Sequence, residues 1–476
     1  QRLILSLLFL LPRPPRPPSP LRIAFLHPDL GLGGAERLVI DAALALAHRG
    51  HSVSIVTAHH DRSRAFTETL DGSLRIVVAG SFLPARILGR AQVACAAARG
   101  VYGALLLAAT ALRGRLVGGG VGVDVVFVDQ VPHGIPVLRL FLVPIVFYCH
   151  FPDKLLVQST TASDAPRAVR MLHAAYRRPF DVLEEFCIGA ANRVLVNSSF
   201  TARVFHRSFR VLRTMQIRPD VLHPSVDVRN GLRTWPEAST GGSGGDSLTL
   251  LSVNRFEKKK NLALAIEALH EYRRRRASSQ RLRLVLAGGY DVRLTDNVEC
   301  LEKLRALVNK ADLNDTVQFA TNVSDAERTR LLEACSAVVY TPEGEHFGIV
   351  PLEAMAAGRP VIAVRSGGPC ETIVHGQTGW LCEPTTNDFA DAYEEVARLA
   401  STTAEVEAGC TQSPASELER RGRAARRHVE ANFSRELFGE RLEKHLLDAV
   451  LGRSDSPAAE PPSRATAWVA REETFD

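Results

Sequence analysis

Short, unbroken apolar runs recur along this chain, each followed by a loop and an amphipathic helix, and this rhythm is its strongest constraint. Leu21–Leu26 (LRIAFL) leads into the loop His27–Gly34, then an amphipathic stretch from about Ala35 to Arg49. Gly50 follows, where a helix C-cap glycine belongs, and Ser52–Thr57 (SVSIVT) is the next run. Strand, glycine-rich turn, helix and strand make a βαβ unit, which implies a parallel sheet. Val123–Asp129 (VDVVFVD) and Pro144–Cys149 (PIVFYC) repeat the theme. Runs this apolar are strands buried on both faces. Arg193–Asn197 is a further strand, with a helix expected over Ser198–Arg207.

The rhythm stops at Ser239–Ser247 (STGGSGGDS), a flexible-linker composition. It restarts with strands at Leu248–Val253, Leu282–Ala287, Thr316–Ala320, Ala337–Tyr340 and Pro360–Ala363 and a strand-like Gly379–Cys382. Helices are expected over Leu262–Arg276, Val298–Lys310, Asp325–Cys335 and Val350–Ala357. The fold class is therefore α/β: two doubly wound halves facing across a cleft, with ligands outside the carboxyl ends of the strands. The expected organisation is an extension over 1–20, disordered or membrane-proximal, and a first domain over 21–238. A linker over 239–247 and a second domain over 248–430 follow. A terminal helix over 431–453 and a disordered tail over 454–476 complete it.

Composition narrows the partners. Fifty-eight Lys and Arg against 52 Asp and Glu give +6, which suits phosphates or acidic headgroups but not a dedicated nucleic-acid binder. The eight cysteines are scattered without a C-x-x-C pair, so neither a disulfide framework nor a zinc site is expected, and the compartment reads as reducing. Val101–Leu112 is apolar and fenced by Arg99 and Arg113. It is about half of the roughly 20 residues that span a bilayer. A buried helix and a helix dipping into a membrane face both fit it.

The motif richest in chemistry is TPEGEHFGIVPLEAMAAGRPVIA. Glu345 sits in a loop after a strand, and Glu353, eight residues on, is expected in the opening turn of a helix. Gly348 allows a tight turn, and Pro351 fits a first helical turn. The backbone N–H groups around Gly348, Ile349 and Val350 then form an anion site suited to a diphosphate. One carboxylate can hold a sugar hydroxyl and the other a ribose. Helix-dipole stabilisation would explain Glu353 alone, not Glu345, His346 or the glycine.

Three further motifs follow strands. In NRFEKKKN, Arg255 and Lys260 lie five apart, a planar fork and a point charge placed to straddle a diphosphate and stabilise it as it departs. Lys258 and Lys259 read as a solvated turn. In GLGGAE the glycines fall at 31, 33 and 34, so it is not G-x-G-x-x-G. As a signal it is weak, although Gly33 and Gly34 at a helix start can offer N–H groups to an anion. No acid stands where a dinucleotide ribose would need one; Asp61 is four residues late. In YCHFPD, His150 can touch a reacting sugar, and Asp153 is a weaker acceptor-side candidate. Arg273–Arg276 and Arg420–Arg427 read as solvated helix faces, the second also as a surface for anionic lipid.

The E-x7-E motif continuing FGIVPLEAM, the R-x4-K before it and the G-G-A-E turn resemble the retaining glycosyltransferases of the two-Rossmann-domain (GT-B, family 4) type. HPDLGLGGAERLVIDAALAL, YCHFPDKLL, VNRFEKKKNL, LAGGYD and EHFGIVPLEAM with SGGPCETI look like that group's mannosyltransferases of the dolichol-linked oligosaccharide pathway, over about Leu21 to Val450. The resemblance implies GDP-mannose as donor and a dolichyl-diphosphate-linked Man-GlcNAc2 as acceptor, with α-1,3 then α-1,6 addition. It implies the cytosolic side of the endoplasmic reticulum membrane, no metal and no cofactor, and a complex with other dolichol-pathway mannosyltransferases. By the same resemblance Gly33, Arg255, Lys260 and Glu353 hold the diphosphate and ribose. Glu345 and His346 face the transferred mannose, and His150 lies beside its C6 side. Three alternatives stay open: another nucleotide-sugar transferase or epimerase, an NAD(P)-dependent oxidoreductase, and a non-catalytic scaffold.

Overall fold

The computed structural model describes residues 20–87, 91–117, 122–155, 167–228, 248–275, 282–402 and 416–453. The glycine-rich linker, the extension before Pro20, the tail from Ser454 and Cys410 lie outside the described residues. The chain forms two compact units. Of the described residues, one holds those up to Asn197, Thr201–Leu222 and those from Phe438; the other holds Ser198–Phe200 and those between His223 and Leu437.

The first unit is a parallel sheet of β1 (Arg22–His27), β2 (Ser52–Thr57), β3 (Arg75–Val78), β4 (Val125–Asp129), β5 (Ile145–Cys149), β6 (Arg193–Val196) and β7 (Asp220–Val221). Its order is β3-β2-β1-β4-β5-β6-β7, so the carboxyl ends of β1, β4 and β5 lie side by side. Every residue of β4 and β5 is buried, as their apolar runs require. One face packs against helices Gly34–His48 and Arg435–Leu451 through Leu38, Leu46, Phe438, Leu442 and Leu446. The other packs against a layer that includes Ala104, Leu107, Leu138, Ile188 and Phe209. Gly50 does follow the C-cap Arg49, with φ +90°.

The second unit is a parallel sheet of β8 (Leu248–Val253), β9 (Leu282–Gly288), β10 (Val317–Thr321), β11 (Ala337–Tyr340), β12 (Val361–Val364) and β13 (Gly379–Cys382), in the order β10-β9-β8-β11-β12-β13. Leu250, Leu264, Leu284 and Phe389 centre one core, and Leu251, Val338, Leu352 and Ala425 the other.

Three expectations are corrected. The unit boundary falls at Leu222/His223 rather than at the linker, because Val226 pairs with Ser434 and packs with Val253 and Phe433. The terminal helix is not a separate element: from Phe438 its apolar side completes the first unit's core, and Glu443 pairs with Arg49 and with His51 at 2.8 Å. The apolar stretch near Val101 belongs to a helix of 26 residues, Gln92–Val117. Its flanking arginines, Arg99 and Arg113, lie inside the helix rather than at its ends, and Arg99 donates to the Leu83 carbonyl. It is long and apolar enough to cross a membrane, and 28% of its most apolar window is buried. Ala104, Leu107, Ala108 and Ala111 face the core, while Leu105, Leu106, Leu112 and Leu116 are exposed.

The basic run on helix Glu417–Asn432 is largely neutralised by its own acids. Arg423 pairs with Glu419 and Arg426 with Glu430, and Arg421 lies over the Trp380 ring at 4.5 Å. That removes most of the charge that an anionic lipid surface would read.

Candidate active site

In the second unit the loops after β8, β11 and β12 start at neighbouring carboxyl ends, and this brings distant residues together. Lys260 Nζ lies 2.6 Å from Glu345 Oε2, and the Tyr340 hydroxyl donates to the same oxygen at 3.1 Å. Thr341 Oγ1 donates to the Lys260 carbonyl at 2.7 Å, tying the two loops to one another. Burial works against the Glu345 charge, but the Lys260 ammonium, with smaller help from His346 and Tyr340, holds its carboxyl below the usual range. The buried Tyr340 phenol is pushed up by desolvation and by the carboxylates of Glu345 and Glu353, so both acids of the motif act on one hydroxyl.

Gly348 is the N-cap of helix Ile349–Ala356 and has φ +80°, a conformation that favours glycine. Ile349 and Val350 open the helix, so their N–H groups have no partner within it. Glu353 is the fifth helical residue rather than part of the opening turn. There the helix dipole has little hold on it; instead it pairs with Arg328 of helix Asp325–Ala334. Arg255 follows β8 as expected, but its side chain is 66% exposed, with Nη1 3.8 Å from Glu257. It is not part of the hydrogen-bonded Lys260–Glu345 group.

The SGGP turn after β12 is a component that sequence reasoning did not assign to the site. Gly344 N donates to Ser366 Oγ at 3.1 Å, and Gly368 N to the Glu345 carbonyl at 2.8 Å. A Cβ on Gly368 would stand 2.1 Å from the Phe347 carbonyl oxygen. The turn is thus laid directly against the backbone of the Glu345–Gly348 loop.

In the first unit Gly33 is the N-cap of helix Gly34–His48, in extended backbone. His150 follows β5, and its Nε2 lies 2.8 Å from Asp129 Oδ1. Asp129 Oδ2 lies 2.8 Å from His27 Nδ1. Sequence reading missed both partners: it ended the first strand at Leu26, whereas β1 runs through His27. Asp153 has other partners. Both Arg177 Nη atoms bond its Oδ2 at 3.1 Å, which gives it a structural task.

Asp153 N also donates to the buried Glu184 at 3.1 Å. Desolvation, then the Asp153 charge, pushes the Glu184 carboxyl up to about 7. The folded state therefore binds a proton that the unfolded state has lost, and stability should fall as pH rises from about 4.5 through 7. The group's share is roughly 3 kcal/mol. Denaturant titrations at pH 5 and pH 8 should show this slope in the wild type and a flatter one in Glu184→Gln.

Two parallel-sheet Rossmann-like units bearing this cluster define a glycosyltransferase of the GT-B class. Residues 32–229 match the family described as Glycosyltransferase Family 4, and residues 237–406 match Glycosyl transferases group 1. Among solved structures, sucrose-phosphate synthase from Thermosynechococcus elongatus has the same fold, with TM-score 0.65 and 19% identity over 89% of this chain and 98% of that one. A glycosyltransferase from Rickettsia africae gives TM-score 0.62 and 16% identity over 92% and 100%. More narrowly, the chain belongs to the alpha-1,3/1,6-mannosyltransferase family. It is 43% identical to the human alpha-1,3/1,6-mannosyltransferase ALG2, over 89% of this chain and 95% of that protein. It is 37% identical to the Saccharomyces cerevisiae protein of the same name, over 89% and 84%.

Proposed function

We propose that this chain is a retaining mannosyltransferase that carries mannose from GDP-mannose to dolichyl-diphosphate-linked Man-GlcNAc2, first in α-1,3 and then in α-1,6 linkage, on the cytosolic face of the endoplasmic reticulum. The observation that carries the reading is the group of Lys260, Glu345 and the Gly348 helix start, at adjoining strand ends of a chain this similar to mannosyltransferases over most of its length.

The diphosphate lies on the N–H groups of Ile349 and Val350, with Lys260 and Arg255 as its cations. Glu353 takes the ribose, and Glu345 and His346 the mannose; within the first unit, His150 is the residue that meets a sugar hydroxyl. As the C1–O bond breaks, its electron pair leaves with the phosphate oxygen. The acceptor hydroxyl adds to C1 on the same face, and its proton passes to that departing oxygen. Electrostatic stabilisation of the leaving group is the main contribution the protein makes. Other dolichol-pathway mannosyltransferases are the partners this reading implies.

Helix Gln92–Val117 supports a membrane-bound state. One side of it is locked into the first unit's core and the other is apolar and exposed, which suits a helix lying in the plane of a bilayer surface rather than crossing it. The test is incubation with GDP-mannose and a short-chain lipid-linked Man-GlcNAc2, followed by product mass and linkage analysis. Two added mannoses and flotation of the protein with vesicles are expected. Turnover with UDP-glucose instead would overturn the donor, and recovery in the soluble fraction at low salt without detergent would overturn the membrane reading.

A further inference from the structure

Asp129 lies at the carboxyl end of β4, between the ends of β1 and β5, and is 1% exposed. A buried carboxylate is costly unless its lone pairs are met by strong donors. Here each oxygen has one: His150 Nε2 at 2.8 Å on Oδ1 and His27 Nδ1 at 2.8 Å on Oδ2. His27 is itself 1% exposed, and its Nε2 is directed toward Glu36 Oε1 at 4.0 Å. Glu36 is the acid of the GGAE turn, so that motif reaches His150 through two intermediates. Despite burial, which opposes charge on both groups, the Asp129 carboxyl is held near 2 by the two imidazoles, and the His27 imidazole is raised by Asp129 and then Glu36.

An ionised carboxylate only accepts hydrogen bonds, so both bonded imidazole nitrogens must carry hydrogen. For His150 this fixes Nε2–H on Asp129 and leaves Nδ1 as the nitrogen with a free lone pair in the neutral ring. The ring is held on two more sides: Tyr148 makes an edge contact at 4.9 Å between centroids, and Asn197 Nδ2 donates to the His150 carbonyl at 3.0 Å.

We propose that Asp129, anchored by His27, is a positioning residue for mannosyl transfer that locks His150 in the tautomer presenting Nδ1 to a sugar hydroxyl. This rests on the reading of His150 above, and deepens it. With Nε2–H on Asp129, the Nδ1 lone pair accepts a hydrogen bond from a sugar hydroxyl, so the hydroxyl is oriented rather than merely bound. The opposite tautomer would present an N–H and point the hydroxyl the other way.

The decisive variant is Asp129→Asn. It keeps the shape, but its amide nitrogen must face one of the two imidazoles with a donor, so one ring has to change tautomer. With GDP-mannose and a lipid-linked acceptor, kcat should fall on the order of 100-fold, the scale of mispositioning a reacting group. The KM for GDP-mannose should stay within about twofold, because Asp129 is buried and does not bind the donor. His150→Ala should lose a similar factor, and the double variant should lose little more, as for residues acting through one another. Independently of activity, nitrogen NMR of histidine-labelled wild-type protein should show His150 protonated at Nε2 and not at Nδ1. A His150 protonated at Nδ1 in the wild type overturns the proposal, even if Asp129→Asn fails to fold. So does a normal kcat in an Asp129→Asn protein whose His150, by the same NMR measurement, has lost the hydrogen at Nε2, where His150→Ala is impaired. Normal turnover in His150→Ala itself would instead overturn the role given to His150, while the tautomer measurement still decides what Asp129 does.

Discussion

Replacing Lys260 by alanine is expected to lower mannosyl transfer at least about 100-fold, the size of effect that follows loss of an electrostatic stabiliser. Lys260 is the cation with a fixed place: its side chain is 17% exposed and its ammonium stands 2.6 Å from Glu345. Arg255, by contrast, is largely exposed and, among the described residues, is held only by a 3.8 Å ion pair with Glu257. On the proposed reading, removing Lys260 takes away the positive charge that meets the departing phosphate. It also leaves the mostly buried Glu345 carboxylate with the Tyr340 hydroxyl as its donor in this group, and its pKa rising. Glu345→Ala should cost a comparable factor by freeing Lys260 from its position. Because the two act as one unit, the double variant should be little worse than either single one. Steady-state turnover and a melting curve decide the matter. Turnover near normal in either folded single variant would refute the assignment of this pair.

Much of the parallel-sheet architecture was legible because fully buried strands leave an unmistakable signature. The runs at β4, β5 and β11 contain almost nothing but apolar residues and those at β1 and β8 mostly apolar ones, and each is followed by a glycine-rich or polar loop. Local chemistry also exposed the Glu345–Glu353 loop and the Arg255–Lys260 turn, where charge clusters directly follow such strands. Less local facts were hidden. His27 and Asp129 are 102 positions apart and become neighbours only because β4 pairs with β1. Helix Arg167–Gly189 was not anticipated: it carries Pro179 and a basic start, features that read as an interruption. The terminal helix looks like an appendage until Phe438 and Leu442 are seen to fill a core begun by β1 more than 400 positions earlier.

The SGGP turn shows the same limit most sharply, and it supports the second large prediction. Gly368→Ala adds a single methyl group at a residue whose φ of −59° suits any amino acid, so torsional preference foresees no penalty. The penalty is steric. The new Cβ would lie 2.1 Å from the Phe347 carbonyl oxygen, 2.3 Å from its Cα and 2.4 Å from its carbonyl carbon. All three are backbone atoms and cannot rotate aside as a side-chain end would. The Glu345–Gly348 loop must therefore retreat by about an ångström, carrying with it Glu345 and the start of helix Ile349–Ala356. A displacement of that size at a reacting centre can cost about 100-fold in rate. Both kcat and the affinity for GDP should suffer, because the carboxylate and the N–H groups proposed to hold the sugar and the diphosphate move together. Isothermal titration with GDP and a kinetic assay with GDP-mannose will read the two effects separately. If Gly368→Ala binds GDP and turns over like the wild type, the turn does not set the position of the Glu345 loop, and the anion site at Gly348 has to be supported from elsewhere in the unit.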